Sequence, residues 1–131
     1  MEWRTAARRG PELPPSDPAA VEARLWSLLE PYRDRLEAST IYGVPSLKWP
    51  GAKAHEYFAA VKAGKRFVSL YMLAVDTYPE ALEGAPATLL KRRSGKATFN
   101  FPSLDHELAR DLEALLARVF ERYAADHAAK G

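Results

Sequence analysis

Three histidines, His55, His106 and His127, are the first candidates for metal or proton chemistry in a chain that has no cysteine. None lies four residues from another, the spacing that turns two imidazoles toward one ion on a helix. His106 stands between Asp105 and Glu107, yet helical neighbours point about 100° apart, so the triplet suits a helix N-terminus better than a metal. His55-Glu56 reads the same way. Gly95-Lys96 follows a basic run and resembles a phosphate loop. That loop, however, needs Gly where Leu90 stands and Ser or Thr where Ala97 stands, and it opens a helix rather than a strand. No serine sits in a nucleophile elbow and no carboxylate pair has a spacing that forces it together, so hydrolysis finds no support. Asp76 reads as a turn-former before Thr77 that could lie at a sheet end near Lys91 or Arg92.

What remains is a surface. If Val68, Leu70, Met72, Ala97, Phe99 and Phe101 face a core, alternation puts Ser69, Tyr71, Lys96, Thr98 and Asn100 together on the opposite side of a sheet. Lys62 falls nearby, with Arg92 and Arg93 at the border. Hydroxyls, an amide, a lysine and a ring can hold an anionic or planar ligand, the ring stacking and the lysine neutralising charge. Two plainer fates compete. Antiparallel sheets commonly leave one side wet, and Phe67 and Leu73, with Trp49 and Tyr42, could instead bury that side in a homodimer.

The elements that must position this surface follow from period and punctuation. Residues 1–15 carry Gly10, Pro11, Pro14 and Pro15 with little apolar periodicity and read as a loose arm. Ser16-Asp17-Pro18 starts a helix, and Val21, Leu25, Leu28, Tyr32 and Leu36 lay a stripe along it that Pro31 should kink or divide. Residues 39–49 turn β-branched and aromatic; Pro45 suggests an edge strand, closed by Pro50-Gly51. Residues 56–62 and 66–75 read as a strand pair joined through Ala63-Gly64-Lys65, with Gly64 free to take positive φ. Short helical turns fit residues 78–83 and 87–93. Lys96 to Phe101 alternates as a half-buried strand, and a final helix carries Leu108, Leu112, Leu115, Val119 and Tyr123 on one stripe. This is an α+β domain: a small antiparallel sheet of four to five strands with N- and C-terminal helices on one face, spanning residues 16–131.

Composition agrees. The 131 residues, 47% hydrophobic and 27% charged, suit one globular domain. Lack of cysteine removes disulfides, thiolate nucleophiles and cysteine-ligated metals. No apolar run reaches membrane-spanning length and the N-terminal residues lack a secretion signal, so a cytoplasmic protein away from membranes is expected. The formal charge of +2 is uneven, since residues 39–103 carry nine Lys or Arg against four acids. A basic middle attracts anions, while acidic terminal helices argue against nucleic acid.

At VKAGKRFVSLYML, then LLKRRSGKATFNF and the helix ending FERY, residues 17–125 resemble the YdhG-like bacterial domain family. The most specific pieces are Gly95-Lys96 with Phe99-Asn100-Phe101, and the strand pair around Gly64-Lys65 and Tyr71; Pro45 to Trp49 matches more loosely. The resemblance implies an α+β fold with an antiparallel sheet and no assigned reaction. Some relatives are described as frataxin-like iron carriers, which implies iron as a cargo or cofactor held by surface carboxylates; on this chain His106 would be a further ligand candidate. The residues themselves favour a non-enzymatic binding or adaptor domain, with no cofactor, for an anionic small molecule or protein partner. An iron carrier and an enzyme with a hidden pocket are the alternatives.

Overall fold

The computed structural model describes residues 17–130; the arm expected over residues 1–15 lies outside them. Asp17 opens the first helix as its position implies, its carboxylate accepting from Ala20 N–H at 3.1 Å while Pro18 takes the first helical place. This helix, α1 (Pro18–Leu29), buries Val21, Leu25 and Leu29. Pro31 divides the segment. The chain tightens into a 3-10 stretch (Glu30–Arg35) that carries the apolar stripe past partly buried Tyr32 to buried Leu36.

Residues 39–49, expected as one edge strand, form a hairpin instead. β1 (Glu37–Ile41) and β2 (Val44–Lys48) are joined by Tyr42-Gly43, with φ of 52° and 76°. Two successive positive φ values make the turn whose twist matches a hairpin, a place where Asn-Gly is the favoured pair. β2 lies inside the sheet, so Pro45 is not on an edge. It is tolerated because the ladder to β3 begins only at Ser46↔Ala60, leaving Pro45 no bond to forfeit across that gap.

β3 (Tyr57–Ala63), β4 (Val68–Tyr71) and β5 (Thr98–Phe101) complete a five-stranded antiparallel sheet in the order β1-β2-β3-β4-β5. The expected β3–β4 hairpin is present, but Gly64 does not adopt positive φ. Its need is space: a Cβ there would stand 2.8 Å from the Phe67 carbonyl oxygen, which accepts the Gly64 N–H at 3.0 Å. β4 is shorter than the run 66–75. It ends at Tyr71, Met72 N–H donates to the Ala97 carbonyl at 2.7 Å, and α2 (Leu73–Thr77) begins with Ala74 and Val75 buried. A 3-10 turn (Pro79–Leu82) and α3 (Ala87–Leu90) lead to β5, which starts at Thr98 rather than Lys96.

The last helix, α4 (His106–Lys130), is capped by Asp105, whose carboxylate accepts from Leu108 N–H at 2.8 Å. Leu112, Leu115, Val119 and Tyr123 are buried as the stripe requires. α1 lies over β3 and β4 with α4 beside it. Beneath them Val61, Val68, Leu70, Phe99 and Phe101 are buried from β3 to β5. Phe58 packs against Tyr32, Phe120 and Tyr123 at centroid distances of 5.4, 5.2 and 5.5 Å. The Tyr123 hydroxyl accepts from Trp49 N–H at 2.8 Å and donates to the Glu56 carbonyl at 2.6 Å, tying α4 to both ends of the β2–β3 connection. Among the described residues no helix is long and apolar enough to cross a membrane.

One irregularity decides what faces outward. Leu47 pairs with Ala59 but Lys48 pairs with Tyr57, so β3 holds an extra residue, Phe58, at this point. Such a bulge breaks the alternation. Phe58 and Ala59 are both buried, while Tyr57 and Ala60 border the same cavity on the other side.

Candidate functional site

The residues that alternate away from the helices form two rows across the sheet. In the first, β1 contributes Ile41 and β2 Val44, the Ser46↔Ala60 register brings β3's Lys62 level with them, and Ser69 of β4 and Asn100 of β5 follow. The second row reads Ser39, Ser46, Ala60, Tyr71 and Thr98. Along the first row chemistry changes in one direction: aliphatic, cationic, then hydrogen-bonding.

Two concavities lie on this face. One, of about 450 Å³, is lined by Ile41, Val44, His55 and the tyrosines Tyr42, Tyr57 and Tyr71. The other, of about 460 Å³, is lined by Phe67, Ser69, Ser94, Thr98 and Asn100. Lys62 and Tyr71 line both. Each volume is in the range of small-ligand sites.

The tyrosines are close enough to sense one another. Burial first, then the neighbouring phenols of Tyr71 and Tyr42, push the Tyr57 hydroxyl above its ordinary value. Tyr42 stands apart in cost. It is 97% exposed and takes a left-handed backbone that a bulky residue adopts only under strain. Its ring contributes nothing to the core, yet Tyr42 lines the first cavity beside Ile41 and Val44. A strained, exposed aromatic at a cavity rim is a feature that folding alone does not account for.

The second cavity is wired internally. Ser69 Oγ donates to Asn100 Oδ1 at 2.7 Å, and Asn100 Nδ2 donates to Ser94 Oγ at 2.9 Å. No Asp or Glu lines either concavity. Among the described residues Lys62 is exposed and forms no ion pair. Next to Ala60, the buried Ser46 Oγ has no hydrogen-bond partner among the described residues. By contrast the 240 Å³ hollow between α2 and α4 is lined by Glu56, Asp126 and His127 and offers an anion nothing comparable.

Five of the eight residues expected at the site, Lys62, Ser69, Tyr71, Thr98 and Asn100, come together on this face. The other three do not. Lys96 precedes β5 in a loop, where its carbonyl accepts from Arg93 Nη2 at 2.7 Å. Arg92 and Arg93 flank the outer edge of β5: the Arg92 carbonyl accepts from Asn100 N–H at 2.8 Å, and neither residue lines either of these two concavities. The shortened β5 is the cause, because a strand starting at Thr98 leaves Lys96 outside the pleat. One lysine therefore supplies the positive charge instead of four cations.

Ile41, Val44, His55, Tyr57 and Ser94 were not expected at the site, and Tyr42 was expected on this side only as a homodimer contact. Reading Tyr42-Gly43 as a two-residue turn would have found Ile41 and Val44, which such a turn sets opposite each other. The three histidines stay apart: His55 lines the first cavity, His106 opens α4, and His127 lies 4.3 Å from the Tyr123 ring. Among the described residues no three His, Asp or Glu side chains gather as metal ligands.

The chain matches no family model, no curated protein and no solved structure.

Proposed function

We propose that this domain is a non-enzymatic binding module whose outer sheet face takes a small anionic ligand bearing a planar ring. The carrying observation is a carboxylate-free, tyrosine-lined cavity whose wall includes a lysine with no ion pair among the described residues. A ring between Tyr57, Tyr71 and Tyr42 gains stacking and burial, of order 1–3 kcal/mol for a base-sized ring. Lys62 adds attraction for an acid group, which is screened by salt because the site is open. Absence of Asp and Glu from the walls leaves that attraction unopposed.

Titration with indole-3-acetate, followed by amide chemical shifts, tests this reading. Shifts should concentrate at Tyr57, Lys62 and Tyr71, and affinity should fall as salt rises. Lys62→Ala should abolish the salt dependence and Tyr71→Ala the binding. Shifts confined to α1 or α4, or an affinity indifferent to both substitutions, would refute it.

A further inference from the structure

We infer that the ligand is an N-acylated aromatic amino acid, in which ring, carboxylate and amide branch from one carbon. The inference rests on the anionic-ligand reading above and adds what the second cavity holds.

The order of side chains across the sheet sets the order of groups in the ligand. Crossing from β1 to β5, the first outer row runs from Ile41 and Val44, through Lys62, to Ser69 and Asn100. Strands lie about 4.8 Å apart, so the lysine sits within one or two strand spacings of both the aromatic cavity and the hydrogen-bonding one. Lys62 and Tyr71 belong to both cavities, so a single ligand can pass between them without leaving the surface. The acid group must therefore lie in the middle of the ligand. A simple aryl acid would leave the second cavity empty. A nucleoside monophosphate fails differently, because its anion lies at the end, beyond the polar sugar. An α-carboxylate flanked by an aromatic side chain on one arm and an acyl amide on the other has the required sequence of groups.

The hydrogen-bond chain leaves two donors for the second arm. Donation runs from Ser69 to Asn100 and from Asn100 to Ser94, so Ser69 has spent its only proton while the Ser94 hydroxyl proton and the second Asn100 N–H stay available. Donors facing an open cavity call for an acceptor. The acyl carbonyl oxygen supplies it.

Calorimetry on the full chain with three probes decides the matter: N-acetyl-L-tryptophan, its neutral amide N-acetyl-L-tryptophanamide, and indole-3-acetate. The acid should bind more tightly than either of the others, by roughly 3–10-fold per hydrogen bond or charge contact removed. Ser94→Ala, at an exposed loop position, should weaken N-acetyl-L-tryptophan by about 3–10-fold and leave indole-3-acetate unchanged. Equal affinities for N-acetyl-L-tryptophan and indole-3-acetate, or Ser94→Ala affecting neither, would overturn the acyl arm while the anionic-ring reading stands. Failure of all three probes to bind would overturn both.

Discussion

The two faces of this one sheet are built from alternate residues of the same strands and have little else in common. On the helix side Val68, Leu70, Phe99 and Phe101 are sealed from water, and their rings and branches interlock with α1 and α4. On the outer side their immediate neighbours Ser69, Tyr71, Thr98 and Asn100 keep hydroxyls, an amide and a phenol beside open concavities. Moving one residue along β5 therefore exchanges a property of the fold for a property of the surface. Stability and recognition are interleaved in sequence yet separable by substitution.

The sharpest way to break that separation is at Phe99. Phe99→Ala should cost about 3–5 kcal/mol through lost burial and a residual cavity, measured by denaturant unfolding. A much smaller cost would mean that the inner face is less tightly packed than its burial implies. Tyr123→Phe comes next, since it strips Trp49 N–H and the Glu56 carbonyl of their shared hydroxyl and should cost about 1–3 kcal/mol.

The same residue gives the comparison a pH signature. Burial pushes the Tyr123 phenol up to about 12, so the folded state keeps its proton where the unfolded chain, at about 10, has released it. Stability from this group is complete below pH 10 and is lost as pH rises toward 12. Tyr123→Phe should flatten that part of the stability curve. An unaltered slope would assign the alkaline loss to other groups.

On the outer side the expected effects on folding shrink or change sign. Tyr42→Asn places the favoured residue in a left-handed turn and should stabilise by roughly 1 kcal/mol while weakening ligand binding. Loss of stability instead would show that the ring supports the hairpin. Lys62→Ala should move stability by no more than about 0.5 kcal/mol, because the side chain is exposed and has no ion pair among the described residues. Its effect belongs to the salt dependence of binding.

How much of this was legible in the chain depended on period. Phe99 and Phe101, alternating with Thr98 and Asn100, announced a half-buried strand and set Thr98 and Asn100 on the face of Ser69 and Tyr71, while Lys96, expected with them, precedes the strand. Helix signals were as direct: Asp17-Pro18 and Asp105 cap the helices they precede. Leu73-Ala74-Val75 misled because a short apolar run carries no period, and its helical outcome depends on burying Ala74 and Val75 together. Tyr42 hid a turn by standing where Asn would have advertised one. Pro45 suggested an edge, when it required only a gap in one ladder. The tyrosine cavity was lost to both errors, since it needs β1 and β2 to be separate strands with Tyr57 facing the same way as Tyr71.

That last requirement shows what the bulge at Phe58 does. In a strict two-residue rhythm Tyr57 and Ala60, three positions apart, would occupy opposite sides; the bulge absorbs the added position and keeps both on the outer face. Substituting Phe58 would leave the count intact and damage only packing. Deleting it would restore a regular ladder in which Tyr57 still opposes Lys48 and still faces outward, so the loss would fall on the core, where the Phe58 ring meets Tyr32, Phe120 and Tyr123.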